Sequence, residues 1–339
     1  MDFCFTQLAF ARAFSRIGCR LSVTLLSLVL LSACGPTKKP VTAETVKATG
    51  PIRSVGLTVG DLSNPFFVQI AKGAEAKVKE LGGAGVTFTA VSSGYDLNRQ
   101  ANQMDDFIAA KTDLILLNAA DSQGVAPAVR KARAAGITVV AIDVTAEGGV
   151  NGTVMSDNRQ AGELAGDYIV KRLKGTGSIV IINGPPVSAV MDRIAGIEIA
   201  LARAPGITVL SRDQNGQGNR DGGMAVMNDL LVAHPKLDAV FAVNDPTGLG
   251  AALALRQARR TGVFIAAVDG APDAERALAD PEHALAATAA QDPFAMAGKA
   301  VELGFALRSS QPPAETNVRI PVTLVTRENL SSYHGWSSK

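Results

Sequence analysis

The sequence predicts an α/β protein built as two lobes, each a parallel sheet with both faces covered by helices. Three observations predict it. From residue 52 onward, apolar strand-like runs alternate with alanine-rich amphipathic helical runs. The chain of 339 residues has the length of two ordinary domains. A second series of strand–helix units starts after Ser156-Asp157-Asn158, which places the lobe boundary there.

The elements follow in order. A strand over 53–59 runs through Val55-Gly56-Leu57-Thr58-Val59 toward Asn64-Pro65-Phe66-Phe67, and a helical pattern over 66–81 follows at once. Pro65 suits the first helical turn. Strand 86–91 and helix 97–110 come next, then strand 113–117, which carries Leu114-Ile115-Leu116-Leu117. Helix 123–135, strand 137–142 with Val139-Val140-Ala141-Ile142, and helix 158–173 continue the alternation. The second series reads as strands 178–182, 207–210, 238–242 and 263–268 between helices 188–203, 220–233, 247–258 and 271–279, with a last helix over 293–307. No low-complexity tract or short repeat interrupts this body.

Residues 1–33 read as an export signal rather than part of the fold. Arg12, Arg16 and Arg20 precede an uncharged apolar run, Leu21 to Leu31, and Leu31-Ser32-Ala33-Cys34 ends it. The run is short for a membrane span. Cys34 directly after Leu-Ser-Ala resembles the bacterial lipoprotein box, which implies cleavage before Cys34 and a lipid on that residue. Residues 34–51 are polar and proline-bearing, as in a flexible tether. The expected location is therefore the periplasm or cell envelope, with membrane anchoring through the lipid.

Cleavage changes the composition of what remains. The 3 cysteines stand at 4, 19 and 34, so the body carries no thiol, no disulfide and no cysteine-based metal site. Removing Arg12, Arg16, Arg20 and Asp2 from 33 basic and 31 acidic residues leaves 30 of each. No basic block points to nucleic acid.

Polar residues gather at strand ends. Asn118 follows Leu117, Asp143 follows Ile142, Asn244-Asp245 follow Val243, and Asp269-Gly270 follow Val268. One such residue alone reads as a turn or helix cap. Four at the same ends of strands describe a shared binding edge, since open α/β sheets bind ligands outside the carboxyl ends of their strands. Phe66 and Phe67 add apolar ring faces there, though a buried phenylalanine pair is the structural alternative.

Here the chain resembles the type I periplasmic solute-binding proteins of ABC importers, in their ribose-binding branch. The likeness spans nearly all of residues 52–330. It rests on Asn64-Pro65-Phe66-Phe67, Leu117-Asn118 with Asp121-Ser122, Ile142-Asp143, Ser156-Asp157-Asn158, His234-Pro235, Val240 to Asp245, Val268-Asp269-Gly270 with Asp273, and Ala287 to Gln291. The resemblance implies two Rossmann-like, doubly wound lobes joined by a three-strand hinge that closes on ligand. It implies lobe one as 52–155 plus 292–323 and lobe two as 156–291 plus 324–339. It implies a small sugar or polyol as ligand, an ABC permease with its ATPase as partner, a monomer, no cofactor and no metal. The implied ligand contacts are Asn64, Phe66, Phe67, Asn118, Asp143, Asn244, Asp269 and Gln291.

The chain departs from that branch at four places. Val144 and Met191 stand where ribose binders have arginine, Gly218 stands near the aromatic that closes the pocket from lobe two, and Gly60 replaces a hydroxyl residue. Two readings stay open. Arg193, Arg220 or Gln217 compensates from a neighbouring position, or the uncompensated aspartates take a cationic or amino-bearing ligand. Tyr95 and Asp96 either supply replacement contacts or form a solvated turn.

Other function classes fit less well. His234, His283 and His334 lie away from the polar strand ends, and the sequence has neither a Gly-x-Ser-x-Gly elbow nor a Gly-Lys-Ser/Thr phosphate loop. Gly216-Gln217-Gly218 matches only a fragment of a dinucleotide loop. A sugar-responsive repressor would carry a basic helix-turn-helix where this chain has an export signal. A loaded binding protein read by a membrane sensor remains open beside the importer role. The expectation is a binding protein and not an enzyme.

Overall fold

The computed structural model describes residues 50–336. The export signal, Cys34 and most of the tether lie outside the described residues.

The first series of units runs β1 (Ser54–Val59), α1 (Pro65–Gly82), β2 (Thr87–Ser92), α2 (Leu97–Ala109), β3 (Leu114–Leu117), α3 (Ala126–Ala134), β4 (Thr138–Ile142) and β5 (Gly152–Ser156). The second runs α4 (Asn158–Arg172), β6 (Thr176–Asn183), α5 (Ser188–Ala202), β7 (Gly206–Asn215), α6 (Arg220–Ala233), β8 (Ala239–Ala242), α7 (Asp245–Gln257), β9 (Phe264–Asp269), α8 (Pro272–Ala279) and β10 (Leu285–Ala290). Helix α9 (Pro293–Leu307), β11 (Asn317–Ile320) and β12 (Thr323–Thr326) follow.

The strands form two six-stranded sheets of the same design. The first has the order β11-β5-β4-β3-β1-β2, the second β12-β10-β9-β8-β6-β7. Neighbouring strands are parallel except for β12, which runs antiparallel to β10. Strands β3, β4, β8 and β9 are buried along their whole length, so they read as continuous apolar runs, as strands covered on both faces must.

The eight strands expected from the sequence all form. Strands β5, β10, β11 and β12 are additional to them. Strand β10 is Leu-Ala-Ala-Thr-Ala-Ala, buried throughout, and alanine carries little strand signal. Strands β11 and β12 are four residues each and take their place only through long-range pairing, Asn317 with Thr153 and Ala290 with Thr323.

The chain crosses between the sheets three times, after β5, after β10 and between β11 and β12. The change-over falls slightly off the expected residues. Ser156 still pairs with Ile320 in the first sheet, and Thr323 already pairs with Ala290 in the second. Helices α1 and α9 cover one face of the first sheet around Leu57, Ile70, Leu116 and Val301. Helices α6, α7 and α8 cover one face of the second around Met227, Val240, Leu255 and Leu278. The remaining faces belong to a third core that also holds Val144, Val187 and Val190 from the two sides of the cleft.

Candidate functional site

A narrow cavity of about 50 Å³ lies between the carboxyl ends of the two sheets. Its lining includes Asn64, Phe66, Phe67, Tyr95, Asn118, Asp143 and Val144 from the first lobe, and Arg193, Gly218, Asn244 and Asp269 from the second. The volume is only a few times what one water needs.

The aromatic wall comes from the start of α1. Asn64 caps that helix, its Oδ1 accepting from Phe66 N–H at 3.0 Å, and Pro65 sets the first turn. Phe66 and Phe67 are buried and stand edge to face, 5.4 Å between centroids. Both alternatives raised by the sequence apply: the pair is core, and it faces the cavity. Tyr95 extends the wall, its ring 6.1 Å from that of Phe67. Gly60 makes this possible, because a Cβ there would sit 2.6 Å from the Tyr95 ring. Tyr95 itself takes a left-handed φ of 58°. Burial and the nearby Asp143, Asp269 and Asp61 push its hydroxyl well above the usual tyrosine range, so it stays protonated. Asp96 does not join it; its carboxylate caps α2 by accepting from Arg99 N–H.

In the first lobe the strand-end groups face each other. Asn118 Oδ1 accepts from Gly60 N–H at 3.0 Å, and its Nδ2 donates to Asp143 Oδ2 at 2.9 Å. Its hydrogen bonds are thus made within the protein, and it orients Asp143. Asp143 Oδ1 is buried without a partner. Burial holds the Asp143 carboxyl up at about 6, against Arg193 and Asn118, which act to lower it.

In the second lobe one cation serves the site. Arg193 is 5% exposed. Its Nε donates to Asn158 Oδ1 at 2.8 Å, and its Nη1 to Val243 O at 2.7 Å and Asp269 Oδ1 at 3.4 Å. Helix α5 lies so close to α4 that a Cβ at Gly162 would run into the carbonyl of Arg193. That approach brings the arginine to the strand ends. Asp269 Oδ1 also accepts from Gln291 Nε2 at 2.8 Å. Burial and Asp143 raise Asp269 to about 7, with Arg193 and Gln291 opposing. Asn244 caps α7 through Thr247 N–H and donates to Gly218 O at 2.9 Å.

Both carboxylates sit on strained backbone, Asp143 at φ 69° and Asp269 at φ 137°. Such conformations cost about 1–3 kcal/mol for a residue other than glycine and cluster at ligand clamps. Here they end β4 and β9 and turn the carboxylates toward the cavity.

Several expected residues fall elsewhere. Met191 is 53% exposed and does not line the cavity, because the α5 face turned inward carries Ala189, Val190 and Arg193 instead. Gln291 touches the site through Asp269 and leaves its Oε1 buried without a partner. Arg220 pairs with Asp273 at 2.7 Å outside the cavity, and Gln217 is exposed, so neither of these supplies the missing charge. Val144 is buried and apolar where the resemblance has arginine.

Three contributors are not among the ligand contacts expected from the sequence. Asn158 orients Arg193. Asp245 is fully buried, accepts from Ala271 N–H and Thr288 Oγ1, and is pushed well above the usual range by burial and Asp269. The third is a pair of bonds across the cleft: Ser188 N–H donates to Ser122 Oγ at 3.1 Å, and Thr145 N–H donates to Ser188 Oγ at 2.7 Å. The N-cap residue of α5, Val187, makes no side-chain cap, so Ser122 of the opposite lobe serves that end of the helix.

Comparisons with known proteins agree with this architecture. A family model, the periplasmic binding protein domain, matches residues 55–311. The ribose import binding protein of Escherichia coli is 36% identical over 282 residues, covering 82% of this chain and 89% of that protein. The xylitol-binding protein of Mycolicibacterium smegmatis is 32% identical over 251 residues, covering 73% and 68%. Among solved structures, an ABC transporter solute-binding protein from Mycobacterium smegmatis with bound glycerol superposes with a TM-score of 0.77 at 31% identity, covering 84% of this chain and 98% of that one. Another, from Burkholderia graminis in complex with D-arabinose, gives 0.76 at 27% identity, with 84% and 98% covered. The chain belongs to the periplasmic binding protein family.

Proposed function

We propose that this member of the periplasmic binding protein family captures a small neutral sugar or polyol between its lobes and delivers it to an ABC importer. It is a binding protein rather than an enzyme. The observation that carries the ligand class is the facing pair Asp143 and Asp269, with Arg193 beside them and the rings of Phe66, Phe67 and Tyr95 as a wall. Carboxylates accept hydroxyl protons, the arginine donates, and the rings cover C–H faces. An unpartnered buried hydroxyl would cost about 1–3 kcal/mol, so a site dense in acceptors and donors selects polyhydroxy compounds. The relatives named above bind ribose, xylitol, glycerol or arabinose, which points the same way.

The proposed cycle is hinge closure. Ligand binds the closed form better and shifts the population toward it, and the closed form is what the permease and its ATPase engage. Export places the protein in the periplasm, and a lipid on Cys34 holds it at the membrane. Mass spectrometry of the envelope fraction tests the last point: unmodified Cys34 on the mature chain refutes the anchor.

One observation favours a second reading. The cavity holds two carboxylates and one arginine, so a ligand with an amino group would balance the charge. A thermal-shift screen decides. Neutral sugars and polyols are run beside amino sugars and small quaternary amines. A compound at 100 times its dissociation constant stabilises by about 2.7 kcal/mol. Stabilisation by neutral compounds supports the first reading. Stabilisation by cationic compounds alone replaces it with the second.

A further inference from the structure

The segment after β12 lies outside the cavity yet touches what the cavity depends on. It is pinned at its start, where Thr326 N–H donates to Asn329 Oδ1 at 2.7 Å and Asn329 Nδ2 donates to Leu324 O at 2.9 Å. A short 3-10 turn over Leu330–Ser332 leads to Tyr333 and Trp336. Trp336 is the only tryptophan in the chain and is 4% exposed.

Three contacts of these two side chains reach the cavity lining or its immediate supports. The Trp336 ring stands edge to face against Phe66, 5.8 Å between centroids. Its Nε1 donates to Gln291 O at 3.0 Å, and the Gln291 side chain holds Asp269. Tyr333 Oη donates to Gly270 O at 2.7 Å, and Gly270 follows Asp269 at the end of β9. Phe66 belongs to the first lobe, Gly270 to the second, and Gln291 to the middle crossover. The segment therefore touches both lobes and the crossover after β10 at once.

We propose that Tyr333 and Trp336 are positioning residues for the ligand site. They hold Phe66, Asp269 and Gln291 in their binding arrangement from behind. A tryptophan suits this, because it fills space against a ring while its N–H fixes one backbone carbonyl. The rotation of Gln291 matters because its Nε2 is a donor to Asp269 and its Oε1 stands buried without a partner. The backbone of Gly270, at φ 76°, matters because it sets the strained turn that aims Asp269. Linkage makes the effect reciprocal: ligand tightens the tail as the tail tightens ligand.

The inference rests on the ligand cavity proposed above, so its test has an arm that needs no ligand. In the ligand-free protein, hydrogen exchange is followed at peptides covering 265–272 and 286–293. Trp336→Phe keeps a ring against Phe66 and loses the N–H; Tyr333→Phe loses only the hydroxyl. Both are expected to raise exchange in these peptides severalfold while leaving the melting temperature near that of the wild type. Exchange unchanged in both variants overturns the proposal, whatever the ligand is. The second arm titrates D-ribose, xylitol, myo-inositol and glycerol by calorimetry. For any of these that the wild type binds, each variant is expected to bind roughly five- to tenfold more weakly, with faster release. Wild-type affinity in both variants, with altered exchange, reduces the tail to a structural strap and likewise overturns the proposal. If none of the four binds the wild type, the sugar reading fails and the exchange arm alone judges the tail.

Discussion

At the end of β4, Asp143 takes one side-chain donor, Asn118, and Val144 beside it is apolar; at the end of β9, Asp269 takes two, Gln291 and Arg193. The two sheets have the same strand order, and both carboxylates sit on positive-φ backbone. Yet the second lobe holds the guanidinium and the first only feels it from across the cavity. The difference teaches how one cation serves two acids. Burial raises both carboxylates, to about 6 and about 7, and Arg193 is the largest opposing influence on each. The proposed hinge opening would separate Asp143 from the arginine of the other lobe and so break this electrostatic link. Asp143 Oδ1 makes no hydrogen bond within the protein, which leaves it to accept from a ligand hydroxyl.

The comparison breaks most sharply at the cation. Arg193→Met removes the partner of a buried carboxylate and leaves Asn158 Oδ1 and Val243 O without their donor. A loss of about 3–5 kcal/mol in stability is expected, with ligand binding abolished in a thermal-shift assay. A variant as stable as the wild type would show that Asp269 is already neutral.

Asp143→Asn tests the other side. It keeps an acceptor for the Asn118 amide and removes the charge, so the fold should persist. Ligand affinity measured by calorimetry should fall roughly 10- to 100-fold, the range for a hydrogen bond to a charged group. An unchanged affinity would place the ligand on the second lobe alone.

The pH dependence follows from the direction of the shifts. Unfolded carboxylates titrate near 4. Between that value and about 7 the native protein holds protons that the unfolded chain has lost. Ligand-free stability contributed by these two groups is therefore present at the acid end and falls as pH rises through this window. The melting temperature of the wild type, relative to Asp269→Asn, should drop from pH 4 to pH 7 and level off above. Affinity for a hydroxyl-donating ligand should move the opposite way, because an ionised carboxylate is the better acceptor. A flat difference curve would mean that the arginine fully offsets burial.

The smallest expected effect is at Tyr95. Tyr95→Phe keeps the ring in the space left by Gly60 and removes one donor, for a loss of about 1 kcal/mol in binding. Because the ring comes from the first lobe while Gly218 leaves the second without one, Tyr95→Ala should weaken binding further and leave the second-lobe contacts intact.

Much of this architecture is legible in the sequence. The alternation of apolar and amphipathic runs follows from covered parallel sheets, and polar residues at Asn118, Asp143, Asn244 and Asp269 mark the carboxyl ends that meet at the cavity. What the sequence hides has one common cause, contact between distant segments. The family pattern puts Met191 at the inward position of α5, but the close approach of Gly162 to the Arg193 carbonyl sets the helix rotation, and Arg193 faces in. Strand β10 is silent in the sequence because its alanines carry no period, and it forms because β9 and β12 pair with it.

By itself the sequence determined the two α/β lobes, the edge where they carry polar groups and the absence of cysteine after residue 34, because these depend on local pattern and composition. Only the tertiary structure decided which polar atoms remain for a ligand. Asn118 Oδ1 is taken by Gly60, Asn64 Oδ1 by its own helix, and Arg193 is shared between Asn158, Val243 and Asp269. A side chain's type says what it can bond; its long-range neighbours decide what is left to bond with.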